Sequence, residues 1–169
     1  TGLTIFWPDN GLDTGPVLLQ KEVEIGADDT LGSIYFNQLF PLGVAAMVEG
    51  VDLVKVGKAP RIVQNEADAT YESWCTADDV SVDWSQSSAK VHNLIRGADP
   101  QPGAWTTYKG KRLQIFDCAR LEGVSGSTPG EVIAINGDGI AVAAGDGQIL
   151  LKRVRGEGAK VAAAEFAAE

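Results

Sequence analysis

The chain has 169 residues, of which 44% are hydrophobic and 22% charged, with a formal net charge of −9. That length suits one domain or two small ones, and the composition excludes a disordered polymer, a collagen and a coiled coil. No unbroken apolar run approaches the roughly 20 residues of a membrane-spanning helix, so no transmembrane segment is expected. Residues 1–80 carry 4 basic and 13 acidic side chains and residues 81–169 carry 10 of each. Neither half has the basic surplus that tracking a phosphate backbone requires.

Residues 2–7 alternate like a strand, and Pro8-Asp9-Asn10-Gly11 with Leu12-Asp13-Thr14-Gly15-Pro16 makes two turn signals in succession. Val17 to Ile25 reads as the return strand. Asp28-Asp29-Thr30 opens a helix whose apolar positions are Leu31, Ile34, Tyr35 and Leu39; Pro41 then predicts a kink or a second helix carrying Val44 to Val54 and ending before Gly57. Residues 58–84 read as irregular, with short extended pieces at 61–64 and 71–75. Ser85 opens a helix through Ile95, closed by Gly97 and Pro100.

From Gln101 the pattern changes to short strands between glycine turns: Trp105–Tyr108, Arg112–Cys118, Glu131–Ile135, Ile140–Ala143 and Gln148–Val154. Asn136-Gly137-Asp138-Gly139 and Gly145-Asp146-Gly147 occupy hairpin positions. The last ten residues, Lys160 to Glu169, are helix-prone without a stop signal, and Thr1 opens in mid-strand without an initiator Met. The sequence therefore reads as a piece of a longer protein. Its two N-terminal strands are too few to stabilise themselves.

Most catalytic patterns are missing from the sequence: there is no GxSxG elbow, Walker loop, HExxH helix or paired CxxC. A single histidine, His92, reads as a surface or capping residue of its helix, and no metal is expected. Cys75 and Cys118 read as two partly buried free thiols in a reducing compartment. The sharpest candidate is Asp13, a carboxylate on a tight loop between Gly11 and Gly15. Partial desolvation there would raise its pKa toward a general base, while the glycines let the backbone approach a flat ligand. The same residue could equally form an Asx turn.

Gly11-Leu12-Asp13-Thr14-Gly15-Pro16-Val17-Leu18-Leu19-Gln20-Lys21 resembles the Asp loop of enzymes that use 10-formyltetrahydrofolate. His92-Asn93-Leu94-Ile95-Arg96-Gly97-Ala98-Asp99-Pro100-Gln101-Pro102-Gly103-Ala104-Trp105-Thr106 is similar to the junction where those enzymes enter their C-terminal barrel. Pro129-Gly130-Glu131-Val132 and Val142 to Gly147 are like the last strands of that barrel. The three matches occur in family order.

The resemblance implies an α/β remnant of a Rossmann-like formyltransferase domain over residues 1–57, a connecting region over 58–100 and an OB-like β-barrel over 101–169. Family chemistry uses an Asn and a His to stabilise the oxyanion of a tetrahedral intermediate, and an Asp that sets the protonation of the His and moves protons. Asp13 matches the Asp; the Asn, the His and a Ser-Leu-Leu-Pro segment have no counterpart here, so the piece is expected to be inactive by itself. The resemblance also implies folate contacts along the loop at Phe6, Trp7, Asp9, Gly11, Leu12, Asp13 and Gly15. The implied co-substrate is 10-formyltetrahydrofolate, and the formyl acceptor is water, an amine or an aminoacyl-tRNA.

Among family members the hydrolase domain of 10-formyltetrahydrofolate dehydrogenase looks nearest. Methionyl-tRNA formyltransferase, a sugar-nucleotide formyltransferase and a non-catalytic OB-like binding module are the alternatives. Residues 101–169 carry eight basic and eight acidic side chains, which weakens the tRNA reading without removing it, because Lys109, Lys111 and Arg112 could still cluster with Lys152, Arg153 and Arg155. A cytoplasmic location is expected, with no membrane partner; the oligomeric state is left open.

Overall fold

Gly2–Phe6 (β1) and Val17–Glu22 (β2) pair as an antiparallel hairpin, with Leu3 opposite Lys21 and Ile5 opposite Leu19. The ladder slips by one residue between Ile5 and Phe6, a bulge that re-aims the chain as it enters the loop. In the computed structural model, which describes residues 1–123 and 126–168, this hairpin belongs to a first compact unit, Thr1–Ser73; a second unit comprises Trp74–Glu169. The connecting region 58–100 is thus shared between the two.

Thr30 caps the first helix through a capping box, its hydroxyl accepting from Ser33 N–H while Ser33 Oγ accepts from Thr30 N–H. Leu31–Ile34 (α1), a π-helical turn at Tyr35–Leu39 and Phe40–Lys55 (α2) run on without a break. Pro41 therefore does not divide two helices. It lies inside this continuous run, and the wider π turn ahead of it accommodates the missing N–H.

α2 packs on the hairpin through small residues. A Cβ on Gly50 would lie 3.5–3.9 Å from Leu18, Ile5 and Leu19, and one on Gly43 would lie 3.6 Å from Leu3. Ala46 and Gly50 are buried, and Lys21 pairs with Glu49 at 2.7 Å. The opposite side of the helix is apolar too: Phe36, Phe40, Val44, Met47, Val48 and Val51 are all exposed. The 25-residue run Leu31–Lys55 has a mean hydropathy of 1.3, enough in length and composition to cross a bilayer. No unbroken apolar run marks it in the sequence because Asn37, Gln38 and Glu49 interrupt it; a helix that lies against a sheet meets the same measure.

In the second unit, Ala104–Tyr108 (β3), Lys111–Leu121 (β4), Val132–Asn136 (β5), Gly139–Ala143 (β6), Gln148–Arg155 (β7) and Val161–Ala162 (β8) form a six-stranded antiparallel sheet. Its order is β3-β4-β7-β6-β5, with β8 added to β7. No ladder joins β3 to β5 among the described residues, so the sheet is open in its hydrogen bonding and the expected barrel closure is absent from the ladders. The β5–β6 hairpin turns at Gly137-Asp138, with Asn136 opposite Gly139, where the turn signal placed it.

Ser88–Ala98 (α3) covers this sheet. It begins three residues after Ser85, because Asp83 holds Ser85 and Gln86 in a turn of their own, its carboxylate accepting from Ser85 N–H, Ser85 Oγ and Gln86 Nε2. Val91, His92, Ile95 and Ala98 face inward at helical spacing. Ile95, Ile115, Phe116, Ile149 and Val154 are the largest fully buried side chains, each worth about 1.5–3 kcal/mol for leaving water. The terminal run forms β8 and a short helix, Ala163–Ala168 (α4), rather than one helix from Lys160.

The second glycine turn does more than close the β6–β7 hairpin. Asp146 Oδ1 accepts from the Ser88 N–H at 2.6 Å and so caps α3 from another element. Both neighbours must be glycine for the loop to come this close: a Cβ on Gly145 would collide with the Ser85 carbonyl oxygen, and one on Gly147 would sit 3.0 Å from Ser88 Oγ. The Ser88 hydrogen bond holds the Asp146 carboxyl below the usual carboxylate range. A depressed folded-state pKa stabilises above the unfolded value of about 3.9 and is lost as pH falls through the folded value. Asp146→Asn is therefore expected to destabilise the chain at neutral pH and to flatten the loss of structure below about pH 4, measured as melting temperature against pH.

Candidate functional site

The loop that joins β1 to β2 is built from short side chains bonding to backbone. Asp9 Oδ1 accepts from the Gly11 N–H at 2.9 Å and from Thr14 Oγ1 at 2.8 Å. The Asx turn therefore belongs to Asp9, not to Asp13. Trp7 N–H donates to the Pro16 carbonyl at 2.9 Å and closes the base of the loop. Gly15 is buried against that closure, where a Cβ would collide with the Trp7 carbonyl oxygen.

Asp13 sits at the outer turn of this loop with φ +55°, a left-handed conformation in which Asp is one of the few tolerated side chains. Its side chain is exposed, so the desolvation argued from the sequence is not provided by this chain. Among the described residues the carboxylate has no hydrogen-bond or ion-pair partner, which leaves its oxygens available to a substrate or to a neighbouring group.

A third stretch of chain clamps the loop. Ile62 exchanges two backbone hydrogen bonds with Val17 at 2.8 and 3.0 Å. Trp7 Nε1 donates to the Pro60 carbonyl at 2.9 Å, and the Arg61 guanidinium lies 4.1 Å over the Trp7 ring. Gln64 Nε2 donates to the carbonyls of Asp13 at 2.8 Å and Gly15 at 2.7 Å. Between this stretch and the loop lies a cleft of about 660 Å³ lined by Leu12, Asp13, Thr14, Val17, Ile62 and Gln64 and continuing to Tyr71 and Glu72. Its charged side chains are Asp13, Glu66, Asp68 and Glu72, without a basic residue.

The structure brings the expected loop residues together, with different surroundings for each. Phe6 and Trp7 are half-buried, and the Trp7 face is occupied by Arg61. The Asp9 carboxylate is spent inside the loop. Gly11 and Leu12 stand at the exposed tip, Leu12 at 70% exposure. The sequence marks Gln64 and Arg61 only as the ends of a short extended piece, with no site role. Gln64 lies 49 residues from Gly15, a separation no local pattern bridges.

Other candidates fall away from the loop. His92, read as a surface or capping residue, is buried in α3. Cys75 is exposed rather than partly buried, and burial pushes the Cys118 thiol up to about 12, far from a reactive thiolate. Several basic residues of the second unit are engaged within it: Lys111 pairs with Glu157 at 3.1 Å and Lys152 with Asp117 at 3.5 Å. Arg112 lies over Trp105 at 4.6 Å, and Arg155 donates to Gln114 at 2.9 Å.

Comparison with known proteins converges on one family. Residues 75–169 match the family model described as formyl transferase, C-terminal domain, and residues 1–50 match that described as formyl transferase. The chain is 40% identical over 161 residues to the mitochondrial 10-formyltetrahydrofolate dehydrogenase of Homo sapiens, covering 90% of this chain and 17% of that protein. It is 36% identical over 167 residues to the methionyl-tRNA formyltransferase of Nitrosospira multiformis, covering 98% of this chain and 53% of that protein. It thus spans about half of one relative and under a fifth of the other. HypX from Aquifex aeolicus, crystallised in complex with tetrahydrofolic acid, has the same fold at a TM-score of 0.80 and 23% identity, over 98% of this chain and 29% of that one. The hairpin with its Asp13 loop and the α3-covered sheet are the two matched parts, and the chain belongs to the formyl transferase family.

Proposed function

We propose that the protein to which this chain belongs transfers or hydrolyses the formyl group of 10-formyltetrahydrofolate, most like the hydrolase domain of 10-formyltetrahydrofolate dehydrogenase. The observation that carries this reading is Asp13: a carboxylate without a partner among the described residues, held in a left-handed turn by Asp9 from one side and Gln64 from the other. In the reaction a nucleophile adds to the formyl carbon, the carbonyl oxygen takes up negative charge, and the intermediate collapses with loss of the tetrahydrofolate nitrogen. A proton leaves the nucleophile and reaches that nitrogen, and Asp13 assists the transfer. Asp13 is the one group in these 169 residues that matches the family's Asn, His and Asp, so turnover belongs to the protein as a whole and the piece is inactive by itself.

Folate lies along the loop from Phe6 to Gly15, reached by backbone groups where Trp7 and Asp9 are already engaged. The six-stranded sheet is the family's OB-like module, and a cytoplasmic location belongs to the same reading. The cleft beside Asp13 supports water or a small amine as acceptor, because four carboxylates and no cation repel a polyphosphate. The engaged lysines and arginines of the second unit support the same choice over tRNA. The test is to supply the full-length protein with 10-formyltetrahydrofolate and follow formate release and formylation of methionyl-tRNA in parallel. Formate release with no formylated tRNA is expected. Formylated tRNA as the main product would overturn the choice of acceptor, and no consumption of 10-formyltetrahydrofolate, with or without added small amines, would overturn the reading.

A further inference from the structure

We infer that Gln64 is a positioning residue for Asp13, an inference that rests on the reading of Asp13 above. Asp13 holds φ +55° without a bond to its own carboxylate among the described residues, so the backbone that carries the carboxylate is what places it in the loop. Both N–H groups of one carboxamide fix this backbone: Gln64 Nε2 donates to the carbonyl of Asp13 at 2.8 Å and to that of Gly15 at 2.7 Å. The two carbonyls flank Thr14, whose hydroxyl is drawn the other way by Asp9 at 2.8 Å. The loop is held at three successive residues, which fixes the backbone position from which the carboxylate projects.

Gln64 is delivered with little freedom of its own. Two residues earlier Ile62 is paired to Val17 by two backbone hydrogen bonds, and before that Arg61 and Pro60 are tied to Trp7. A side chain with two donors on one nitrogen and the reach of glutamine serves both carbonyls; glutamate has the shape but presents acceptors to acceptors. Asparagine is one methylene short.

The test uses the full-length protein carrying Gln64→Glu, which keeps the volume, and Gln64→Leu, which removes the donors without adding charge. Turnover of 10-formyltetrahydrofolate is expected to fall at least about tenfold in both, since displacing a reacting group by about 1 Å can cost up to 10²-fold. The fall in kcat is expected to exceed any rise in KM for the folate, and the variants are expected to remain folded at the assay temperature. Gln64→Glu is expected to regain part of its turnover as pH falls, because its protonated carboxyl can restore one of the two hydrogen bonds, whereas Gln64→Leu is not. Unchanged kcat in either variant, or a loss confined to KM or to thermal stability, overturns the positioning role. Asp13→Asn run alongside separates the two ideas: if it turns over like wild type, the reading of Asp13 fails; if it is inactive while both Gln64 variants are normal, only the present inference fails.

Discussion

Asp13→Asn in the complete protein is expected to lower kcat for formyl transfer or hydrolysis by about 10³-fold, within the 10²–10⁴-fold range that a positioned proton-transfer group supplies. Asparagine is the right replacement because it tolerates the left-handed turn at φ +55° and keeps the shape of the side chain while removing its charge. Asp13→Ala should be as inactive, with a further cost of about 1–2 kcal/mol for placing an ordinary side chain in that conformation. The side chain is exposed and bonded to nothing among the described residues, so the circular dichroism spectrum of the asparagine variant should match wild type. Wild-type turnover would remove Asp13 from the chemistry.

The second large effect requires no functional group to be lost. Gly15→Ala is expected to abolish at least 99% of turnover, because the new methyl would collide with the Trp7 carbonyl oxygen and lie 2.9 Å from the Trp7 carbonyl carbon. Both are backbone atoms of β1's continuation, and they cannot turn aside like a side chain. The strands must part where Trp7 N–H meets the Pro16 carbonyl, and Asp13, two residues away, moves with them. A shift of about 1 Å at a reacting group is enough for a 10²-fold loss. Gly97→Ala is the matched control. A Cβ there meets nothing within 4 Å, and the change inside α3 should leave turnover intact while raising stability by about 0.5–1 kcal/mol. Equal activity of the two alanine variants would show that the loop tolerates opening.

Local chemistry was legible along the chain and long-range chemistry was not. Thr30 as a cap, Gly57 as a stop and the turn at Gly137-Asp138 each depend on a few neighbouring residues, and the alternation of β7 reflects one buried face. The asparagine, histidine and aspartate logic reached Asp13 through resemblance, since a lone acid between glycines is also the signature of an ordinary turn. The turn proved to be made by Asp9, four residues upstream, which no propensity distinguishes from Asp13. Gln64 and Arg61 were invisible because their partners come from the far side of α2. Pro41 misled for a related reason: a proline signals a missing donor, but only the neighbouring backbone decides if a kink or a widened turn answers it.

The doubly apolar helix has a consequence for how the chain comes apart. In Thr1–Ser73 the main ordered contact is one face of α2 against a two-stranded hairpin, while Trp74–Glu169 encloses Ile95, Ile115, Phe116, Ile149 and Val154. Two strands and one helix give little cooperativity, whereas the second unit has a core of its own. Heated as these 169 residues alone, the chain should therefore lose the hairpin and its helix first, and the sheet under α3 in a later transition. No single midpoint describes both events, and the loop that carries Asp13 lies in the part that yields first.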